Sequence, residues 1–135
     1  MQGKIEAQKA AGAAFMTANM TREGIKELPG GIQYEVIKEG TGAQPLVTDT
    51  VKAHYKGALL DGKEFDSSFR RNQPFTAPLR SLIKGWQEVL PLMKEGSYWR
   101  LWIPSDLAYG DRGAGTDIPG GATLVFEVEL LQVIK

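Results

Sequence analysis

Alternation of apolar and polar residues predicts several β-strands in this chain. Apolar residues recur at every second position in residues 32–36, 51–55 and 99–103, which places them on a common face of a strand. The clearest case runs from residue 124 to 130 and alternates Leu124, Phe126, Val128 and Leu130 with Val125, Glu127 and Glu129. Asp61-Gly62 predicts a hairpin turn in which both central residues tolerate positive φ, before a returning strand that carries Phe65 and Asp66. No strand–helix–strand rhythm links these segments, so we expect an antiparallel sheet.

Two other segments have helical spacing. Residues 1 to about 20 are rich in alanine, the best helix former, and their few apolar positions fall near one face. These positions are Ile5, Gly12, Phe15, Met16 and Met20. A shorter helix is predicted over residues 82–90, where apolar residues recur at helical intervals and Pro91 ends the regular hydrogen bonding. The chain is therefore predicted to have an α+β fold, with an antiparallel sheet wrapped around one short helix and an N-terminal helical extension.

Pro29-Gly30-Gly31 separates the helical start from the strands. Such a sequence breaks regular structure. We expect residues 1–28 to form an N-terminal helix and linker, and residues 29–135 to form the main domain.

Composition excludes several classes of function. Sixteen basic residues balance sixteen acidic ones, so the chain lacks the positive charge that attracts nucleic acid or an anionic membrane. It contains no cysteine and one histidine, His54, which excludes thiol nucleophiles and any metal site with two histidines. No apolar run approaches the roughly 18 to 20 residues that a transmembrane helix needs. We expect no metal and no cofactor.

The reactive groups offer little conventional chemistry. Asp66 and Glu64 lie two apart on one strand face, a spacing compatible with a carboxylate pair, although carboxylates on strands are usually solvated. A hydrolase that combined Asp66 with Ser67 or Ser68 would lack a positioned base. His54 alternates onto the face opposite Val51 and Tyr55, as a structural histidine would. Six aromatic residues at inward positions could form either a plain core or an apolar pocket with a few polar groups, namely Tyr55, Phe65, Phe75, Trp86, Tyr109 and Phe126.

A set of motifs in sequence order decides between these alternatives. Ala53-His54-Tyr55-Lys56-Gly57 and the turn from Asp61 to Ser68 (DGKEFDSS) resemble the second strand and signature of FKBP-type peptidyl-prolyl isomerases. The same family is matched further along by Arg71-Asn72-Gln73-Pro74-Phe75, Ile83-Lys84-Gly85-Trp86, Leu107-Ala108-Tyr109-Gly110, Ile118-Pro119 and residues 122–130. Together they cover roughly residues 30–134 and are highly specific. The chain thus resembles the macrolide-binding FKBP family.

This resemblance implies an antiparallel half-barrel around the short helix, with the pocket between them. It assigns catalysis to Asp66, Trp86, Tyr109 and Phe126, with Trp86 as the pocket floor. The residues implied to bind substrate or inhibitor are Tyr55, Phe65, Asp66, Arg71, Phe75, Leu82, Ile83, Trp86, Tyr109, Ile118 and Phe126. The Tyr109 hydroxyl and the Ile83 N–H would donate to a bound carbonyl, and Ile118 would close the loop side.

The function implied is rotation of X-Pro peptide bonds in protein clients, which is an activity in protein folding. Proline-containing segments are the expected partners, and macrolides such as rapamycin or tacrolimus the expected inhibitors. A module that grips proline segments as a chaperone without turnover is the alternative, because the same pocket would serve both.

The N-terminal helix followed by Gly24 to Tyr34 resembles the macrophage infectivity potentiator branch, which dimerises through a helical module. The predicted helix here has only about 20 residues, so a monomer is favoured over a dimer through this helix. The segment as written lacks the apolar core of a signal peptide. This favours the cytoplasm, or the periplasm or exterior if an upstream signal is removed.

Overall fold

The computed structural model describes residues 2–134. These residues form three helices and seven strands, with three short 3-10 turns at Leu79–Ser81, Leu90–Leu92 and Ser105–Leu107. In chain order the elements are α1 (Gln2–Asn19), β1 (Ile25–Glu27), β2 (Gln33–Lys38), β3 (Thr50–Leu59), β4 (Glu64–Ser67), α2 (Ser68–Arg71), β5 (Phe75–Pro78), α3 (Lys84–Val89), β6 (Tyr98–Ile103) and β7 (Leu124–Ile134).

The strands form one antiparallel sheet that does not close on itself. Its order is β1-β2-β6-β7-β3, and the outer edge of β3 is shared by two strands. β5 pairs with residues 50–53 of β3, and β4 pairs with residues 56–58. The predicted α+β architecture, an open half-barrel with a helical extension, is confirmed.

The sheet curls around α3, and the core lies between them. Leu124, Val128 and Leu130 of β7 are fully buried, which confirms the alternation of that strand. Helix α3 approaches β6 closely because residue 85 is a glycine. A Cβ built on Gly85 would lie 2.6 Å from Ile103 Cγ2, closer than real side chains pack. Any other residue would push α3 away from the sheet and open the core.

Two local predictions need correction. Residues 25–27 fall in the predicted linker, yet they form β1 and pair with residues 33–35 of β2. In the β3–β4 hairpin, the Gly62 N–H donates to Leu59 O at 2.9 Å, and only Gly62 among the turn residues has positive φ, at 93°. The connection is therefore a turn with a left-handed closing glycine, not a two-residue turn that requires positive φ at both Asp61 and Gly62. The boundary at residue 28 stays a prediction.

Helix α1 lies against the loop between β6 and β7 and is exposed along most of its length. Gly12 is buried, Ile5, Phe15 and Met16 are partly buried, and Met20 is 37% exposed. No helix within residues 2–134 combines the length and apolar character needed to cross a membrane.

Candidate functional site

An apolar cleft of about 210 Å³ opens between the concave face of the sheet, the start of α3 and the loop after β6. Five of its lining side chains are aromatic rings from the sheet and α3, and a sixth, Tyr109, comes from the loop. The lining residues are Tyr55, Phe65, Asp66, Phe75, Leu82, Ile83, Trp86, Tyr109 and Phe126.

Trp86 forms the floor of this cleft, and the other rings pack around it. Its ring centroid lies 5.3 Å from that of Tyr55 and 5.2 Å from that of Phe126, with the ring planes nearly perpendicular. Phe75 contacts it at 5.6 Å in a tilted arrangement. Edge-to-face contacts of this kind stabilise aromatic clusters beyond their burial alone. The floor is therefore held in place before any ligand arrives.

Gly57 makes the far wall possible. Phe65 and Phe126 meet edge to face with centroids 5.8 Å apart, and they do so directly over the Gly57 backbone. A Cβ built on Gly57 would lie 2.7 Å from Phe65 Cζ and 2.8 Å from Phe126 Cε1. Only a residue without a side chain lets both rings occupy these positions.

Asp66 is the centre of a polar network at the rim. Its carboxylate accepts hydrogen bonds from the Tyr55 hydroxyl and from Arg71, and from the Ser67 N–H at 2.9 Å. The Arg71 guanidinium also lies over the Tyr55 ring, 5.9 Å from its centroid. The network fixes the Tyr55 ring and leaves one face of Asp66 toward the cleft.

The network also fixes the charge of the site. Partial burial alone would raise the pKa of Asp66, but hydrogen bonds from Tyr55 and Arg71 and the charge of Arg71 together lower that pKa below its ordinary value of 3.8. Burial, reinforced by the bond to Asp66, raises the pKa of Tyr55. Burial and then the charge of Asp66 raise the pKa of Tyr109. At neutral pH the cleft thus holds one carboxylate and two protonated phenols.

Ser68 positions Tyr55 from behind, a role that sequence reasoning missed. β4 and β5 leave a gap along β3, and the buried Ser68 side chain fills it. Its Oγ accepts from the Tyr55 N–H at 2.6 Å and lies 3.2 Å from Tyr55 O, where a strand would otherwise pair. The same oxygen lies 2.8 Å from His54 Nδ1. His54 also stacks on Phe69 and lies outside the cleft lining, so it has a structural environment.

Two hydrogen-bond donors come from loops. Tyr109 is 39% exposed, and its hydroxyl has no hydrogen-bond partner among residues 2–134. Ile83 precedes α3 in an extended conformation (φ −59°, ψ 153°), and its carbonyl accepts from the Trp86 N–H at 3.0 Å. Within the described residues its own N–H has no acceptor. Both donors border the cleft and are available to a ligand.

Nine of the eleven predicted binding residues line the cleft. Arg71 borders it through its bond to Asp66. Ile118 lies elsewhere: it is 6% exposed, pairs with Ala114 in an isolated bridge and packs into the core. The predicted contact of Ile118 with a ligand stays a prediction.

Alternative sites have weaker chemistry. A larger cleft of about 390 Å³ runs beside α1, but it is lined by glycines, charged residues and no aromatic ring. Glu64, the proposed partner of Asp66 in a carboxylate pair, is bound to Arg70 at 2.7 Å. Within residues 2–134, no cluster of three acidic or histidine side chains could hold a metal ion.

Comparison with solved structures places this half-barrel in the class of prolyl isomerase folds. A peptidyl-prolyl cis-trans isomerase from Pseudomonas syringae pv. tomato has a TM-score of 0.90 and 43% identity, and the match covers 96% of each chain. The family described as FKBP-type peptidyl-prolyl cis-trans isomerase matches residues 42–131, and the domain amino-terminal to such isomerases matches residues 1–36.

This chain belongs to the FKBP-type peptidyl-prolyl cis-trans isomerase family. It is 47% identical over 131 residues to the FKBP-type 22 kDa peptidyl-prolyl cis-trans isomerase of Escherichia coli strain K12, which covers 97% of this chain and 64% of that protein. It is 47% identical over 122 residues to the peptidyl-prolyl cis-trans isomerase Mip of Coxiella burnetii, covering 90% of this chain and 53% of the relative. The chain thus spans between about half and two-thirds of the length of these relatives. The predicted resemblance, including the macrophage infectivity potentiator branch, is confirmed.

Proposed function

We propose that this protein is a peptidyl-prolyl cis-trans isomerase whose substrates are proline-containing segments of proteins. The observation that carries the proposal is the cleft itself: a floor of buried indole with perpendicular aromatic walls, and two unpaired hydrogen-bond donors at its edge. Such a cleft suits a small apolar ring attached to a carbonyl group. An X-Pro dipeptide has both.

Rotation about an X-Pro bond needs no reactive group. The barrier of about 18–20 kcal/mol comes from amide resonance, and spontaneous exchange takes roughly 10 to 100 s. A turnover of about 1 to 10³ s⁻¹ requires a barrier lower by roughly 1 to 7 kcal/mol. The twisted amide is less delocalised than the planar ground state and its carbonyl less polar, so an apolar site penalises it less. Stronger binding of the twisted form is sufficient for catalysis.

Each lining residue has a proposed role in this scheme. Trp86 holds the proline ring from below, and Phe126 and Phe65 form one wall. The Ile83 N–H and the Tyr109 hydroxyl bind carbonyl oxygens and orient the rotating group. Asp66, held ionised by Arg71 and Tyr55, acts by electrostatics and orientation, and not as a proton donor.

The same cleft is proposed to bind macrolides such as rapamycin or tacrolimus. We propose further that residues 29–135 carry the activity. We also propose that this chain is a monomer, with a dimer through the N-terminal helix as the alternative.

The first experiment measures cis-to-trans exchange of a short X-Pro peptide with and without rapamycin. We expect acceleration that rapamycin blocks. Asp66→Ala is expected to lower kcat/KM by about tenfold or more, since a hydrogen-bonded charge contributes about 1.5–3 kcal/mol. Trp86→Leu is expected to weaken both turnover and rapamycin binding.

Trp102→Leu is the matched control, because Trp102 is 2% exposed, close to the 4% of Trp86, but lies outside the cleft. It should lower stability and leave rapamycin affinity unchanged. Tight rapamycin binding without any acceleration of exchange would contradict the isomerase and identify a binding module. Equal effects of the two tryptophan substitutions on rapamycin affinity would place the ligand elsewhere.

A further inference from the structure

The loop that carries Tyr109 runs from β6 out along the cleft and returns to β7. Its two limbs are joined by few backbone hydrogen bonds. The Gly121 N–H donates to Gly110 O at 2.9 Å, and residues 114 and 118 form an isolated bridge near the tip. Gly110 directly follows Tyr109. The position of Tyr109 therefore depends on where the returning limb lies.

Helix α1 is seated on that returning limb at close range. A Cβ built on Gly121 would lie 2.7 Å from Ile5 O, and one built on Gly120 would lie 3.3 Å from Ile5 Cγ1. Two turns further along the same face of the helix, a Cβ built on Gly12 would overlap Thr123 Oγ1 and lie 3.1 Å from Thr123 Cβ. Glycines on both sides let the helix and the loop come into direct contact.

The outgoing limb is held by the same helix. Lys9 Nζ lies 2.7 Å from Asp111 Oδ1, two residues after Tyr109. An exposed ion pair contributes little stability on its own. The Lys9–Asp111 ion pair matters here for position, because it holds the outgoing limb, whereas Ile5 and Gly12 contact the returning limb.

The C-terminal end of α1 is anchored to the sheet by buried polar groups. Asn19 Nδ2 donates to Gln33 Oε1 at 2.9 Å, and Gln33 Nε2 donates to Met16 O at 2.9 Å. Asn19 and Gln33 are 3% and 1% exposed. If the helix moved along or away from the sheet, the buried amide groups of Asn19 and Gln33 would lose their hydrogen bonds, which is unfavourable. The helix therefore has one favoured position on the domain.

We infer that α1 is a brace for the Tyr109 loop, so that substrate affinity at the cleft depends on the docked helix. Ile5, Lys9, Gly12 and Thr123 act as positioning residues, since none of them lines the cleft. The inference rests on the proposed function, and it extends the substrate site to a helix outside the isomerase half-barrel.

The test compares Gly12→Gln with Gly3→Gln. Both substitutions are in α1, but a Cβ on Gly3 has nothing within 4 Å, so only the first displaces the helix from Thr123. In Gly12→Gln we expect hydrogen exchange at the Gly113 and Gly121 amides to become at least about tenfold faster, because these loop bonds open more often. We expect KM for an X-Pro peptide to rise about fivefold with kcat within about twofold, since a misplaced carbonyl donor weakens ground-state and transition-state binding alike.

A second substitution that restores the contact distinguishes loss of helix docking from a general loss of stability. Gly12→Ala should give smaller changes of the same kind, and Thr123→Ala in that background should reverse them by removing the overlapping oxygen. Unchanged loop exchange in Gly12→Gln would overturn the brace, as would equal changes in Gly3→Gln or a KM that does not follow the loop exchange. If the wild type has no isomerase activity, the proposed function fails, while hydrogen exchange and rapamycin affinity still test the brace.

Discussion

The two sides of the cleft are built differently. The sheet side consists of rings from β3, β4, β5 and β7 that pair edge to face, Tyr55 with Phe75 and Phe65 with Phe126. Tyr55 and Phe126 also meet Trp86 edge to face. The loop side presents Tyr109 and the segment before α3, which are held by scattered backbone hydrogen bonds, such as Gly110 N–H to Ser105 O at 2.8 Å, and by partly buried apolar neighbours such as Leu107. The sheet side provides the aromatic walls, and its Tyr55 hydroxyl already donates to Asp66. The loop side provides the Tyr109 hydroxyl and the Ile83 N–H, the donors at the rim that have no partner among residues 2–134.

This difference separates two tasks. Tyr55, Phe75 and Phe126 each contact two other rings of the cleft, so removing one contact leaves another in place. Each loop donor depends on the geometry of a short chain segment. We therefore expect changes on the sheet side to alter the shape of the cleft and the stability together, whereas changes on the loop side alter binding alone.

The largest effect is expected from Gly57→Ala, which disrupts the sheet side. The new methyl group would lie within 3 Å of both Phe65 and Phe126, so the rings must move into the cleft. Overpacking of this kind lowers the free energy of unfolding by about 1–3 kcal/mol, and we expect kcat/KM to fall by more than tenfold. Equilibrium unfolding and peptide exchange measure both.

Gly3→Ala is the control for that substitution, since its methyl group meets no neighbour. A Gly57→Ala protein with wild-type kcat/KM would mean that the Phe65–Phe126 wall does not shape the substrate site.

A smaller effect is expected from Tyr109→Phe, which removes a donor and keeps the ring. A neutral hydrogen bond contributes about 0.5–1.5 kcal/mol, so we expect KM to rise by roughly two- to tenfold with little change in stability. Tyr98→Phe is the matched control: the Tyr98 hydroxyl donates to Glu127 at 2.6 Å, and Tyr98 lies outside the cleft. The proposed hydrogen bond from Tyr109 to substrate is contradicted if Tyr98→Phe raises KM as much as Tyr109→Phe does.

The smallest effect is expected from pH. The pKa of Asp66 is lowered and those of Tyr55 and Tyr109 are raised, so no cleft side chain changes charge between roughly pH 5.5 and pH 9. We expect kcat/KM to change less than about twofold across that range. The stabilising contribution of ionised Asp66 is present above its unfolded pKa and is lost as pH falls through its lower folded pKa. A step in kcat/KM near pH 6 to 7 would instead indicate proton transfer.

The regular elements of the fold were predictable from the sequence. β7 was predictable because Leu124 to Leu130 alternate over a long, half-buried strand. The helix that carries Trp86 was also predictable, although it is shorter than its apolar pattern: Leu82 and Ile83 are extended, and Leu90 begins a 3-10 turn. β1 was missed because three residues, Ile25-Lys26-Glu27, are too few to show a period. Its pairing comes from the neighbouring strand and not from its own pattern.

Site residues that belong to family motifs were predictable from the sequence. Residues whose role depends on contact between distant segments were not. Ser68 belongs to the DGKEFDSS turn, but its function as a substitute for a missing strand requires knowing that β4 and β5 leave a gap along β3. Gly12 is similar: the sequence places it on one face of the N-terminal helix, but only the structure shows that Thr123 lies against it. Contacts between segments far apart in sequence carry no local periodicity.

The burial of the tryptophans gives this protein an internal optical reporter. All three indoles of the sequence lie within the described residues and are at most 4% exposed, at positions 86, 99 and 102. Only Trp86 borders the cleft. The emission of Trp99 and Trp102 therefore provides a constant background while the chain stays folded, and a ligand that covers the cleft alters the emission of a single fluorophore. Affinity at the floor of the site can thus be followed in the unlabelled protein, by the same side chain that is proposed to hold the proline ring.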